Sequence, residues 1–131
     1  MPAISRGTLQ DATTIAKTTQ TLIGAEILCG GYETITLFLN YVKGNETGVI
    51  VTPWIMHSTG GTAYQDQSWS VAAGSKTITA NNFLMTATGN HIIVMDVSGA
   101  EFVKFTQGGS NNDGTPTGTL AANYMLKGGV E

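Results

Sequence analysis

Hydrophobic and polar positions alternate with a period of two along much of the chain, most clearly over residues 32–43. Between residues 34 and 42, one side is polar apart from Phe38 and Val42, and the other side is apolar: Ile35, Leu37, Leu39 and Tyr41. Such alternation is typical of a β-strand with one side on a core and the other facing solvent. The pattern therefore predicts a strand here, with Phe38 pointing away from the core.

Similar runs follow, separated by turns rich in glycine, asparagine and serine. They predict strands over residues 48–56, 63–72, 77–80, 83–88, 91–97, 101–106 and 119–127. Pro53 cannot donate to a ladder, so the first of these is expected at a sheet edge or bulged. With about eight to ten strands and no crossover helix, the pattern predicts an all-β fold. The expected architecture is an antiparallel β-sandwich of jelly-roll or related Greek-key type.

Three segments fit the alternation less well. Residues 1–10 predict an extended N-terminal arm, and the β-branched run at 13–15 favours extended chain over a helical turn in residues 8–17. Residues 22–29 predict a further strand, with Gly24 as a bulge. Residues 107–118 hold no apolar side chain apart from proline, which indicates a long exposed loop. The whole chain, residues 1–131, is expected to form a single domain.

The amino-acid composition limits the kinds of binding partner that the protein is expected to have. Only 11% of the residues are charged and 41% are hydrophobic, so the surface is mostly neutral and polar, with little charge repulsion to oppose assembly. The six lysine and arginine residues are scattered singly, which argues against nucleic-acid binding. No apolar run approaches the ~20 residues of a membrane span, and the N-terminus has no signal-peptide core. We therefore expect no membrane partner and synthesis in a host cytoplasm.

The sequence predicts no catalytic residue, no metal site and no cofactor. Cys29 is the lone cysteine, His57 lies in a turn and His91 begins a strand. Neither a nucleophile elbow nor a glycine-rich phosphate loop occurs. The aromatic residues leave one alternative open. Exposed on a common surface, Trp54, Tyr64 and Trp69 would form a sugar-stacking platform, whereas buried tryptophans would belong to the core.

Four stretches resemble small β-rich structural proteins of tailed bacteriophages. They are AISRGT at residues 3–8, DATT at 11–14, TLFLNYVKGNET at 36–47 and FLMTATGN at 83–90. The nearest functional analogy within that group is to capsid decoration (cement) proteins. The resemblance implies a non-enzymatic virion protein on the outer capsid surface that binds the major capsid protein, associates as a homotrimer and stabilises the head.

On that interpretation an extended arm would add a strand to the edge of a capsid subunit or a neighbouring protomer. The candidate contact residues are Pro2, Ala3, Ile4, Ser5 and Arg6. The alternative function is a receptor- or carbohydrate-binding module of a phage tail or head fibre. Such modules share the fold, so burial or exposure of Trp54 and Trp69 is the feature that separates the two functions.

Overall fold

A computed structural model describes residues 3–17, 20–72, 75–110 and 115–128. Within these ranges every paired strand is antiparallel and there is no helix, hence none that could cross a membrane. The strands are β1 (Ala3–Thr14), β2 (Thr21–Leu22), β3 (Ile27–Leu28), β4 (Thr34–Val42), β5 (Gly48–Met56), β6 (Tyr64–Gln65), β7 (Gln67–Ala72), β8 (Ser75–Ala80), β9 (Phe83–Met85), β10 (Gly89–Asp96), β11 (Phe102–Ser110) and β12 (Thr119–Gly128).

Two antiparallel sheets carry the fold. The first has the order β1-β12-β4-β10, and the second is centred on β11 and β5. In the second sheet β2 and β3 pair with the outer side of β11, while β6 and β9 pair with the outer side of β5. β7 and β8 form a separate hairpin. Among the described strands, the chain passes from one sheet to the other six times, at β1–β2, β3–β4, β4–β5, β9–β10, β10–β11 and β11–β12, as in jelly-roll and related Greek-key sandwiches. The predicted all-β sandwich class is confirmed.

The core lies between the two sheets. The four inward positions predicted on β4 are at most 3% exposed, and Phe38 on the same strand is 39% exposed, as its position in the alternation predicts. The opposing sheet contributes side chains that are fully buried: Val49, Val51, Val103 and Phe105. Each buried side chain of this size contributes about 1.5–3 kcal/mol of transfer free energy, so the pattern that predicts β4 also identifies the main stabilising surface.

Pro53 lies in a central strand, so the prediction of an edge or bulge there is wrong. It sits opposite Phe105 in an unbroken β5–β11 register, and its carbonyl accepts a hydrogen bond from the Asp66 N–H at 3.1 Å. The N–H and C=O of one strand residue point the same way, so the missing proline N–H faces away from β11. On that side β9 pairs with residues 49–51 and β6 with residues 54–55, leaving Pro53 at the break between them.

The predicted N-terminal arm over residues 1–10 is also corrected. From Ala3 onward the chain belongs to β1, whose register with β12 begins at Ala3 opposite Gly128 and ends at Thr14 opposite Thr119. Pairing satisfies the backbone groups that a free arm would leave to water. This segment therefore adds a strand to its own sheet, and only its outer edge is left for a neighbour.

The predicted loop over residues 107–118 is replaced in its first third by strand. β11 continues through Ser110, opposite the start of β5. Gln107 is 3% exposed, and its Oε1 accepts a hydrogen bond from the Ala16 N–H at 3.0 Å. Pro116 and Gly118 are buried as well, and residues 111–114 lie outside the described ranges. Backbone pairing with β5 buries this polar stretch although it offers almost no apolar side chain.

Gly24 explains why residues 22–29 form two short strands rather than one bulged strand. β2 and β3 flank it, and its φ of +64° lies in the left-handed region that favours glycine. A Cβ at this position would lie 2.0 Å from the Leu9 carbonyl oxygen. The connection between β2 and β3 is therefore packed directly on the backbone of β1.

Candidate interaction surface

The outer face of the sheet β1-β12-β4-β10 combines exposed apolar side chains with separated charges. Residues directly opposite each other in a sheet share a face, so the register defines rows across the four strands. In β1, β12, β4, β10 order, three neighbouring rows are Thr8, Asn123, Phe38, Ile92; then Arg6, Met125, Thr36, Val94; then Ile4, Lys127, Thr34, Asp96. We refer to these twelve positions as the assembly face.

Large apolar side chains stand exposed on the assembly face. Ile92 is 64% exposed, Val94 60%, Ile4 50% and Phe38 39%. The period of two puts them there, because their neighbours along each strand point into the core. The solvated face of an antiparallel sheet is normally polar, and a contiguous exposed apolar patch marks an interaction site.

A groove of about 590 Å³ lies on the β1 side of this face, beside Phe38 and Met125. Tyr124 contributes to its lining from β12. A Cβ at Gly7 on β1 would lie 3.0 Å from the Tyr124 Oη, so a side chain at Gly7 would crowd the ring. Glycine at this point of β1 thus leaves the space that Tyr124 occupies.

The apolar surface continues around the edge strand β10. A second opening of about 310 Å³ lies between the two sheets there, lined by residues of β9 and β10 that include Leu84, Met85, Ile92 and Ile93. Leu84 is 56% exposed, whereas Met85 and Ile93 form its buried floor. The seam of the sandwich is therefore open along β10, with the exposed side chains of Leu84 and Ile92 beside it.

Charges on the assembly face are separated by strand. Arg6 and Lys127 lie on β1 and β12, and Asp96 lies on β10 at the opposite edge. Asp96 Oδ1 accepts hydrogen bonds from the Ser98 N–H at 2.8 Å and the Ser98 hydroxyl at 2.7 Å. Both bonds favour the carboxylate and lower the pKa of Asp96. On the assembly face, the β1 edge thus carries a positive charge at Arg6 and the β10 edge a negative charge at Asp96.

The structure divides the candidate contact residues at the N-terminus between two faces. Ile4 and Arg6 lie on the assembly face, Ala3 and Ser5 alternate with them, and Pro2 lies outside the described residues. The sequence reasoning missed that Ile4 and Arg6 share a face with Phe38, Ile92 and Val94. The sign of this shared face in the sequence is that Phe38 on β4, and Ile92 and Val94 on β10, are apolar residues on the side of the strand that otherwise holds polar residues.

The proposed aromatic platform is not assembled by Trp54 and Tyr64. Trp54 is partly buried and its Nε1–H donates to the Thr106 hydroxyl at 2.9 Å. Tyr64 is 58% exposed, and its ring centroid lies 6.5 Å from that of His57. Trp54 is opposite Gln65 while Tyr64 is opposite Ile55, so the two aromatic side chains emerge on opposite faces. Trp69 belongs to β7 by its backbone, and its side chain lies outside the described structure.

A buried carboxylate is a further feature that the sequence reasoning did not single out. The Glu46 side chain is 3% exposed. Its Oε2 accepts hydrogen bonds from the Tyr41 hydroxyl and the Gly44 N–H. Its Oε1 accepts a hydrogen bond from the Gly118 N–H at 2.9 Å. Burial opposes the charged form, but these donors outweigh it and lower the pKa of Glu46 to about 2. Burial and the adjacent carboxylate raise the pKa of Tyr41 above its ordinary value.

Neighbouring hydrogen bonds extend this structure into a clamp between two loops. Asn45 donates from Nδ2 to the Thr115 carbonyl at 3.1 Å and accepts at Oδ1 from the Thr117 N–H at 3.0 Å. We call the set formed by Tyr41, Glu46, Asn45, Thr117 and Gly118 the loop clamp. It fastens the β4–β5 turn to the chain that leads into β12, which is a structural task.

The described residues offer little for metal chemistry. In residues 3–17, 20–72, 75–110 and 115–128, no group of three or more His, Cys, Asp or Glu side chains comes together to hold a metal ion. His91 Nε2 lies 3.1 Å from the Ala87 carbonyl, and the thiol of Cys29 is buried. Burial, with the nearby Glu101 carboxylate, raises the pKa of Cys29 to about 11.

Comparison with solved structures identifies the same fold in viral particles. A chain in the structure of infectious bursal disease virus Gx strain is 12% identical, with a TM-score of 0.55 over 96% of this chain. A chain in the crystal structure of the infectious bursal disease virus VP2 subviral particle is 9% identical, with a TM-score of 0.57 over 98%. This chain spans about a third of each, 32% and 33%. The likeness shows a shared β-sandwich fold.

Sequence comparison adds no relative. No protein-family model matches the chain, and no curated protein matches it in sequence.

Proposed function

We propose that the protein is a structural component of a virus particle, and more narrowly a capsid decoration (cement) protein of a tailed bacteriophage. In this proposal it is made in the host cytoplasm, associates as a homotrimer, binds the outer surface of the major capsid protein lattice and stabilises the head without catalysis. The observation that carries the proposal is the exposed apolar assembly face, on a sandwich whose fold recurs in virus particles over nearly the whole chain.

Physical chemistry links such a face to head stability. A protein that binds only the assembled lattice shifts the equilibrium toward that lattice by mass action. Several copies held together multiply weak individual contacts by avidity. With charged residues at only 11% of the chain, close packing of many copies meets little electrostatic repulsion.

Reconstitution on isolated heads tests this function. Purified protein is added to heads of the source phage that lack it, and bound protein is quantified after sedimentation together with the thermal stability of the heads. We expect saturable binding and a higher disruption temperature. Phe38→Lys should weaken binding by about tenfold or more, because a charge would interrupt the apolar assembly face. Leu28→Lys on the other sheet, where Leu28 is 57% exposed, is the matched control and should bind normally. Absence of saturable binding would contradict the proposal.

The exposed ring of Tyr64 supports a second candidate, a receptor- or carbohydrate-binding module. Tyr64 is 58% exposed and has the His57 ring beside it, so an aromatic face is accessible to a ligand. Titration with a panel of host surface glycans, followed by Tyr64→Ala, tests this function. Glycan binding that Tyr64→Ala abolishes, without any binding to heads, would put this candidate first.

A further inference from the structure

The β10 edge of the sheet β1-β12-β4-β10 lacks features that usually protect a free sheet edge. β10 keeps an uninterrupted register with β4 from Gly89 to Asp96, and among the described residues its other side has no strand partner. It contains no proline or lysine, and no bulge twists it away. Natural proteins normally use such devices to prevent a free edge from pairing with another chain. The β10 edge is thus suited to accept a further strand.

The opposite edge, β1, is free over a matching length. Its register with β12 is regular from Ala3 to Thr8 and shifts beyond Thr8. Past that point Gly24 packs against the Leu9 carbonyl, and the Gly24 N–H donates to Gln10 Oε1 at 3.3 Å. Residues 3–8 therefore present a regular and unobstructed outer edge, which includes four of the five contact candidates from the sequence, Ala3 to Arg6.

Strand direction makes these two edges compatible in neighbouring copies. Directions alternate across β1, β12, β4 and β10, so β1 and β10 run in opposite senses. A second copy rotated about an axis parallel to the strands would place its β1 antiparallel to β10 of the first. Such a head-to-tail contact closes into a ring when successive rotations complete a full turn, as three rotations of a third of a turn do. The second sheet covers the inner face of each four-stranded sheet, so the assembly faces of neighbouring copies would meet on the uncovered side of the junction.

Charge and hydrophobicity also match across that contact. On the assembly face, Arg6 lies on β1 and Asp96 lies on β10, so the two edges that meet carry opposite charges. Ile4 on β1 and Val94 on β10 would extend the apolar patch across the junction, with both side chains at least half exposed in the single chain. Opposite charges across a strand pair are favourable, and like charges are not.

We propose that the partner of the β10 edge is a second copy of this chain, whose residues 3–8 pair with β10 and bring Arg6 beside Asp96. Three copies joined in this way close a ring in which the assembly faces of neighbouring copies are continuous across each junction. The number of copies rests on the proposed function, whereas the edge pairing rests on the geometry of the sheet.

Charge reversal with rescue tests the pairing on the full chain. The oligomeric state is measured by native mass spectrometry and by light scattering over a concentration series. Wild-type protein should form trimers, and Arg6→Asp or Asp96→Arg should each raise the dissociation constant by about tenfold or more. The double variant, which restores opposite charges, should regain trimers. Lys43→Asp, the same charge change on an exposed loop, is the control and should remain trimeric. Circular dichroism verifies that each variant is folded.

The outcomes separate this inference from the proposed function. Loss of trimers in both single variants with recovery in the double variant supports the edge pairing. Trimers that ignore both reversals, a two-fold dimer that ignores Arg6→Asp, or a monomer at every concentration would overturn it. Binding of wild-type protein to isolated heads is measured separately, so a decoration role can stand when the edge pairing fails, and the reverse also holds.

Discussion

Replacing Glu46 by glutamine should destabilise the protein by about 3 kcal/mol. In the folded chain the Glu46 carboxylate accepts hydrogen bonds from the Tyr41 hydroxyl and from the Gly44 and Gly118 N–H groups. Glutamine offers one oxygen and one N–H₂ group, so either the buried Gly118 N–H or the partly buried Gly44 N–H loses its acceptor, at a cost of about 1–3 kcal/mol, and the remaining bonds lose the charge. Linkage gives a similar figure, because a carboxyl pKa lowered from 4.5 to about 2 corresponds to about 3 kcal/mol.

The pH dependence supplies an independent signature of the same carboxylate. Since the pKa of Glu46 is lower in the folded than in the unfolded chain, its contribution is present above pH 4.5 and is lost as the pH falls toward 2. Urea unfolding, followed by tryptophan fluorescence from pH 2 to 7, gives the free energy of unfolding by linear extrapolation. The Glu46→Gln profile should lack the wild-type loss across this window. Asp11→Asn, an exposed carboxylate on β1, is the matched control. Parallel profiles, or a loss below about 1 kcal/mol at pH 7, would refute the loop clamp.

Three further perturbations test other parts of the fold. Tyr41→Phe removes one donor from Glu46 and should shift the acid-induced loss of stability to higher pH, which the same urea series measures. Gly24 and Gly60 share a φ of +64°, but only at Gly24 would a Cβ collide with a carbonyl oxygen. Gly60→Ala should lower the free energy of unfolding by about 1 kcal/mol, and Gly24→Ala should lower it clearly more. Equal losses of stability in the two variants would contradict the packing of Gly24. Leu37→Ala should cost about 2–5 kcal/mol, whereas Phe38→Ala on the exposed side of the same strand should cost less than about 1 kcal/mol, as thermal unfolding would show.

The sequence could predict those parts of the fold in which burial and periodicity coincide. On β4 the apolar side of the alternation identified the core positions, because a strand with one solvated side must alternate between polar and apolar residues. Phe38 and Val42 are the exceptions on its polar side. The same logic located β5, β10 and β12 to within a few residues. The class of the fold followed from many short strands without crossover helices.

The alternation of polar and apolar residues does not indicate which strands pair, and the wrong predictions at Pro53 and at residues 107–110 have this cause. Pro53 suggests an edge strand when only its missing N–H is considered; its central position depends on a break between β6 and β9 that no local signal marks. Gln107 and the glycines after it resemble a loop, yet they are buried by backbone pairing with β5. The second half of β11 has no apolar side chain, so hydrophobicity cannot identify it as strand.

For the assembly face, too, the sequence predicts the local pattern within a strand but not how the strands come together. Phe38, Ile92 and Val94 could each be placed on the outward side of a strand from sequence, but their union into one face with Ile4 depends on the order β1-β12-β4-β10. Glu46 resembles an ordinary polar turn residue in the sequence. Its burial arises because the turn folds onto Gly118, 72 residues further along the chain. Long-range contacts of this kind need the tertiary structure.

The number of copies in purified particles of the source virus tests the central claim most directly. Quantitative mass spectrometry with isotope-labelled peptides gives the molar ratio of this chain to the major capsid protein. A decoration protein that binds throughout the lattice should be present in numbers close to those of the major capsid protein. A handful of copies per particle, or none, would contradict the decoration role and would favour a tail or receptor-binding module.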